Sequence, residues 1–178
     1  MSQRTFVLLV SWVSLVLAAC TPGGAAPAPT ALPPTAALST KKPVALPQPY
    51  NEQADAQQDI RAALALAKAD HKNILLDFGA NWCPDCLVLS RIFEDAAVKP
   101  FLDANYHVVK IDVGQWTRNL DISVQYDRPI DKGIPAVVIL SPTGEIITST
   151  KNGELADART AKKQDVLDFL RQWAAQKK

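Results

Sequence analysis

The chain has 178 residues, with 19 lysines and arginines against 18 aspartates and glutamates and a formal net charge of +1. That balance excludes the basic surface on which nucleic-acid binding rests, and it offers no field for an acidic substrate. The length fits one domain plus an addition, and the 13 prolines, most of them before Tyr50, place the addition at the N-terminus.

Arg4 makes the first residues positive, Phe6 to Leu17 is apolar apart from Ser11 and Ser14, and Ala18, Ala19 and Cys20 follow. This predicts a signal peptide over 1–19. The apolar run falls short of the roughly 20 residues of a membrane span. Leu17-Ala18-Ala19-Cys20 resembles the bacterial lipobox. In that family the cysteine is lipidated and becomes the first mature residue. The resemblance therefore implies lipidation at Cys20, attachment to a lipid bilayer, and a place in the bacterial cell envelope facing the periplasm or the exterior. Thr21 stands where an inner-membrane lipoprotein of a two-membrane cell carries Asp, which points to the outer membrane if there is one. Residues 20–50 form a linker rich in Ala, Pro and Thr, with no charge before Lys41. Such a segment buries too little apolar area to offset its ordering entropy, so disorder is expected. Where extended, it reaches about 3.1 Å per residue.

The domain is expected over 51–178. Residues 51–70 read as a helix, with Ile60, Ala63, Leu64 and Ala67 on one face and Asn51 or Asp55 as its cap. The apolar run 74–78, broken only by Asp77, fits a central strand buried on both faces. Pro84 suits the first position of a helix, whose stripe is Leu89, Ile92, Phe93 and Ala96. A second short helix is expected over 98–104 and a β-branched strand over 106–113. A helical turn or two is expected over 119–126, with Leu120, Ile122 and Tyr126 as candidate buried residues. Strands at 136–140 and 146–150 flank the turn Ser141-Pro142-Thr143-Gly144. Residues 151–162 are polar loop, and 163–176 form a helix with Val166, Phe169, Leu170 and Trp173 inward. A βαβ crossover followed by ββα gives an α/β fold: a mixed four-stranded sheet flanked by helices.

The chemistry gathers at Trp82-Cys83-Pro84-Asp85-Cys86. At a helix start, free backbone N–H groups and the positive end of the helix dipole favour a thiolate at Cys83. Cys86, one turn on, is placed to close a disulfide. Asp85 between them opposes the thiolate and tilts the pair towards reduction. A zinc site needs four ligands, whereas one cysteine pair remains and His71 and His107 lie elsewhere, so no metal ligand is assigned. A purely structural disulfide over so short a loop would restrict the unfolded chain little. A strand–CxxC–helix context supports a redox pair.

The run from Asp77 to Cys86, Asp-Phe-Gly-Ala-Asn-Trp-Cys-Pro-Asp-Cys, resembles the thioredoxin active-site stretch, and Gly133-Ile134-Pro135 resembles that family's cis-proline loop. The resemblance spans about 51–178. It implies a thioredoxin-like fold, Cys83 as nucleophile, Cys86 as resolving thiol and Asp77 as the buried acid that moves a proton at that thiol. Substrate would meet Trp82, Pro84, Asp85, Ile134 and a cis Pro135. The implied function is disulfide exchange on protein substrates, recharged by a membrane electron-donor thiol–disulfide protein, with the Cys83–Cys86 disulfide as redox centre and no separate cofactor. Three departures stand out: Pro-Asp replaces the Gly-Pro of general thioredoxins, a helix takes the place of the first strand, and Arg91 sits where the active-site helix usually kinks at proline. These features resemble exported family members. Two other classes compete: a copper chaperone holding Cu(I) on both thiolates, since soft ligands suit it, and a scaffold that presents a surface. Trp116 and Arg118 fall on a loop that borders the site in this reading.

Overall fold

The computed structural model describes residues 48–174. The signal peptide, Cys20 and almost all of the 20–50 linker lie outside the described residues.

The elements run α1 (Ala56–Asp70), β1 (Asn73–Gly79), α2 (Pro84–Phe93), α3 (Lys99–Asn105), β2 (Tyr106–Asp112), α4 (Leu120–Gln125), β3 (Ala136–Leu140), β4 (Ile146–Ser149) and α5 (Lys163–Ala174). The strand order is β2-β1-β3-β4. β1 pairs parallel with β2 and antiparallel with β3, and β3 and β4 form an antiparallel hairpin. This is the mixed four-stranded sheet expected from the sequence. All seven residues of β1 are buried, as the central place and near-continuous apolar run require.

Side chains alternate across β1 and divide the core in two. Ile74, Leu76 and Phe78 join Ile60, Ala63 and Ala67 of α1. Leu75 joins Leu89 and Phe93 of α2 and Val166 and Leu170 of α5. By the same alternation Asp77 and Gly79 point to the α2 side. Asp55 caps α1, its carboxylate accepting from Gln58 N–H, and the chain turns out at His71 in the left-handed region.

The helix expected from residue 51 begins at Ala56, because Asp55 is its cap, and Leu120, expected to be buried, is 40% exposed. Two further expectations need correction. α2 stops at Phe93, so Ala96 is exposed and outside any helix. Asp95 turns the chain there by accepting from Ala97 N–H at 2.9 Å, an alternative that short polar side chains offer the backbone. The second correction is Tyr50, placed at the end of the linker by composition. It is 1% exposed and part of the core. Its backbone is clamped by Asn81, which accepts from Tyr50 N–H at 3.1 Å and donates to Tyr50 O at 2.8 Å.

Gly79 makes room for that ring, because a Cβ there would run into the Tyr50 Cζ, hydroxyl and Cε1 atoms. Gly79→Ala is predicted to destabilise the protein by about 1–3 kcal/mol through overpacking, measured by urea denaturation. In a Tyr50→Ala background the same change should cost below about 0.5 kcal/mol. Equal costs in both backgrounds would show that the ring is not the obstacle.

Candidate functional site

Cys83 is the N-cap of α2, with extended backbone (φ −85°, ψ 113°), and Pro84 follows at the first helical position. Proline loses nothing there, since its missing N–H would lack a helical partner anyway. The geometry turns Cys83 Sγ back over the helix start, 3.2 Å from the Cys86 backbone nitrogen. Cys83 and Cys86 are joined by a disulfide with their Cα atoms 5.3 Å apart. Cys83 is 4% exposed and Cys86 fully buried. The outer sulfur is therefore the one an incoming disulfide can reach.

The Ile134–Pro135 peptide bond is cis. Its loop faces the pair, with the Ile134 carbonyl oxygen 3.6 Å from Cys83 Sγ. Trp82 lies beside the cysteines, 45% exposed, its indole N–H donating to Gly114 O at 2.7 Å. Trp116 packs against it, ring centroids 6.3 Å apart. Trp116 thus does border the site. Arg118 instead binds Asp112 at 2.7 Å and Glu52 at 3.3 Å.

Asp77 lies fully buried in β1. The Tyr50 hydroxyl donates to its two carboxylate oxygens at 3.1 and 3.2 Å. Lys110, its register partner on β2, brings Nζ to 3.4 Å and also donates to Ser90 Oγ at 2.9 Å. Ser90 is one turn beyond Cys86 on α2, so this network underlies the helix that carries the resolving cysteine. Burial raises the Asp77 pKa, opposed by the Lys110 charge and by the hydrogen bonds from Tyr50 and Lys110. Burial first, then the charge of Asp77, pushes the Tyr50 hydroxyl well above its ordinary value, so it keeps its proton and acts as donor.

Asp85 departs from the sequence reading. Its carboxylate accepts from the Arg159 backbone N–H at 2.9 Å and from Arg159 Nε at 3.0 Å, and the residue is 8% exposed. The negative charge expected to face Cys83 is compensated, and the group expected to meet substrate is already engaged. Arg159 belongs to the 151–162 loop, whose Leu155 and Ala158 are buried against α5. Polar composition hid both contacts. Tyr50 was hidden by its proline-rich neighbours, although Gly79 beside a buried acid is the trace it leaves in the sequence. Lys110, a lone charge in an apolar strand, was the readable signal for an Asp77 partner. His107 sits apart, binding Asp70 at 3.0 Å. Among the described residues no three His, Cys, Asp or Glu side chains gather to hold a metal.

Two predictions follow from these contacts. Arg159→Ala uncovers the Asp85 charge beside the helix start and should raise the Cys83 thiol pKa in the reduced protein, while Asp85→Asn should lower it. Thiolate absorbance against pH reads both, and coincident curves would remove Asp85 from the electrostatics of the pair. The second concerns stability. Because the Asp77 pKa is raised in the fold, its contribution is complete below the unfolded value and is lost as pH rises through the folded one. Asp77→Asn does not titrate, so its urea midpoint relative to wild type should climb as pH rises above the unfolded carboxylate value of about 4. A flat difference would place Asp77 outside the titration.

The fold has close parallels among known proteins. A family model described as thioredoxin-like matches residues 55–142. A thioredoxin of Mycoplasmoides gallisepticum is 30% identical over 99 residues, covering 56% of this chain and 80% of that protein. A protein disulfide-isomerase of Zea mays is 31% identical over 100 residues, covering 56% of this chain but 17% of the maize protein. The solved structure of a disulphide isomerase from Xylella fastidiosa Temecula1 superposes with a TM-score of 0.70 at 44% identity, covering 72% of this chain and 98% of that one. With a disulfide at the start of α2, a cis-proline loop against it, and a thioredoxin and a solved disulphide isomerase each matched over most of their length, this chain belongs to the thioredoxin-like family.

Proposed function

We propose that this chain is a thiol–disulfide oxidoreductase acting outside the cytoplasm, tethered to a membrane through lipidated Cys20, and that it reduces protein disulfides. The observation that carries the chemistry is the Cys83–Cys86 disulfide at the α2 N-terminus, outer sulfur against the Ile134 carbonyl and inner sulfur buried. In the reduced enzyme the Cys83 thiolate attacks one sulfur of a substrate disulfide. The S–S bond breaks, the other substrate sulfur leaves as a thiolate, and a mixed disulfide remains on Cys83. Cys86 then loses its proton to Asp77 and attacks Cys83 Sγ. The second substrate thiolate departs and the Cys83–Cys86 bond closes. Two electrons have passed to the substrate, and a membrane dithiol protein restores the pair. Trp82, Pro84, Ile134 and Pro135 form the surface that receives the substrate strand.

The reducing direction rests on Asp77 serving the resolution step, since compensation of Asp85 by Arg159 removes the support its charge would have given. A second reading, isomerisation, is favoured by the likeness to the Xylella disulphide isomerase. In that case the mixed disulfide is resolved by another thiol of the substrate and the enzyme leaves reduced.

Cys86→Ala should accumulate mixed disulfides with envelope proteins on Cys83, visible on non-reducing gels, and Cys83→Ser should form none. Insulin reduction by the wild type, with weak recovery of a scrambled disulfide protein, supports the reductase. The opposite pattern selects the isomerase. No adduct, together with tight stoichiometric Cu(I) binding, would replace both by a copper chaperone. Cys20→Ala should move the protein from the membrane fraction to the soluble one, and an unchanged distribution would remove the lipid anchor.

A further inference from the structure

Tyr50 is held by more contacts than core packing alone needs. Asn81 pins its backbone from both sides, and Asn81 belongs to the loop that leads into Cys83. Gly79 leaves the space its ring occupies. The Lys110 ammonium lies 5.2 Å from the ring centroid. All of this delivers one hydroxyl proton, shared between the two oxygens of a fully buried carboxylate.

We propose that Tyr50 is a positioning residue for disulfide exchange: its hydroxyl orients the Asp77 carboxylate and keeps it available as the proton acceptor for Cys86. This rests on the proton role given to Asp77 above. Burial drives a carboxylate to take up a proton, and Lys110 reaches only one of the two Asp77 oxygens. A donor that reaches both oxygens fixes the plane of the carboxylate and favours the ionised form. The groups facing Asp77 are few. Lys110 comes from β2, with Ser90 of α2 on the far side of its ammonium. β3 brings only apolar Val137 opposite Asp77 in register. Asp112, further along β2, acts on the Tyr50 hydroxyl and keeps it protonated. Tyr50 is thus the neutral donor in a set whose other member is a cation, and it supplies direction without adding charge.

The test is the pH profile of mixed-disulfide resolution in the full-length protein, read as single-turnover release of a fluorescent substrate thiol. Asp77 acts when ionised, and losing a donor to its charged form raises its pKa. Tyr50→Phe, which keeps the ring in its slot, should therefore move the rising limb of the profile up by about one pH unit. The plateau should persist. A merely structural role would lower the rate evenly across pH. A Tyr50→Phe profile that overlies the wild type, while Asp77→Asn abolishes the rising limb, overturns the proposal and leaves the Asp77 role standing. An Asp77→Asn profile identical to wild type overturns both. A measurement without a variant guards against a folding failure: in wild type labelled at tyrosine Cζ, the Tyr50 signal should shift at the pH where Asp77 titrates. A Tyr50 signal that ignores that titration overturns the proposal.

Discussion

A carboxylate buried in the central strand is the constraint around which the surrounding structure is arranged. An ionised group taken out of water costs several kcal/mol unless it is paired and hydrogen-bonded. Asp77 offsets part of that cost with one cation and one neutral donor, drawn from two separate segments of the chain, while burial still outweighs them and raises its pKa. Lys110 comes from the parallel neighbour strand and Tyr50 from the segment ahead of α1. Three further residues make this possible. Gly79 leaves space for the ring, Asn81 fixes the backbone, and Ser90 takes a second hydrogen bond from the Lys110 ammonium. Each is a local oddity in an otherwise apolar setting, and each is explained by the same charge.

The second charge at the site is managed differently. Asp85 sits in the first turn of α2, where the helix dipole favours a carboxylate, and where it would also oppose a thiolate on Cys83. Arg159 resolves the conflict with two donors from a loop 74 positions away in sequence. The pair is half exposed on the Arg159 side, so solvent screens much of its strength. Its importance lies in direction. The carboxylate is turned towards the loop, and the helix N-terminus remains an electropositive environment for sulfur. The polar loop 151–162 is thereby drawn into the site while its Leu155 and Ala158 are anchored in the core.

The two charges also show what is legible in a single sequence. The core strands could be read because burial on both faces writes a continuous apolar run, as over 74–78 and 136–140. The cysteine pair could be read because its chemistry depends on a short spacing, and the Pro135 loop because Gly133-Ile134-Pro135 resembles the family's cis-proline loop. Boundaries drifted where a side chain competes with the helix for backbone hydrogen bonds, as Asp95 does beyond Phe93. Tyr50 and Arg159 were not readable, because their roles are defined by partners 27 and 74 positions distant. Their neighbours, prolines on one side and polar residues on the other, carry no sign of what they bind. A charged residue inside an apolar strand announces that a partner exists, but the pattern holds no address for it.

The surface beside the disulfide completes the argument. Trp82 and Trp116 remain 45% and 44% exposed although both are large and apolar. They pack against each other, and Trp82 is pinned through its N–H to Gly114. Rings held this way lose little freedom on contact with another chain, which lowers the side-chain ordering part of the cost of binding. The neighbouring sulfur is 4% exposed. A disulfide must therefore be pressed against the aromatic pair and the Ile134 carbonyl before its sulfur can approach Cys83. Under the proposed exchange chemistry this ordering makes docking the condition for attack.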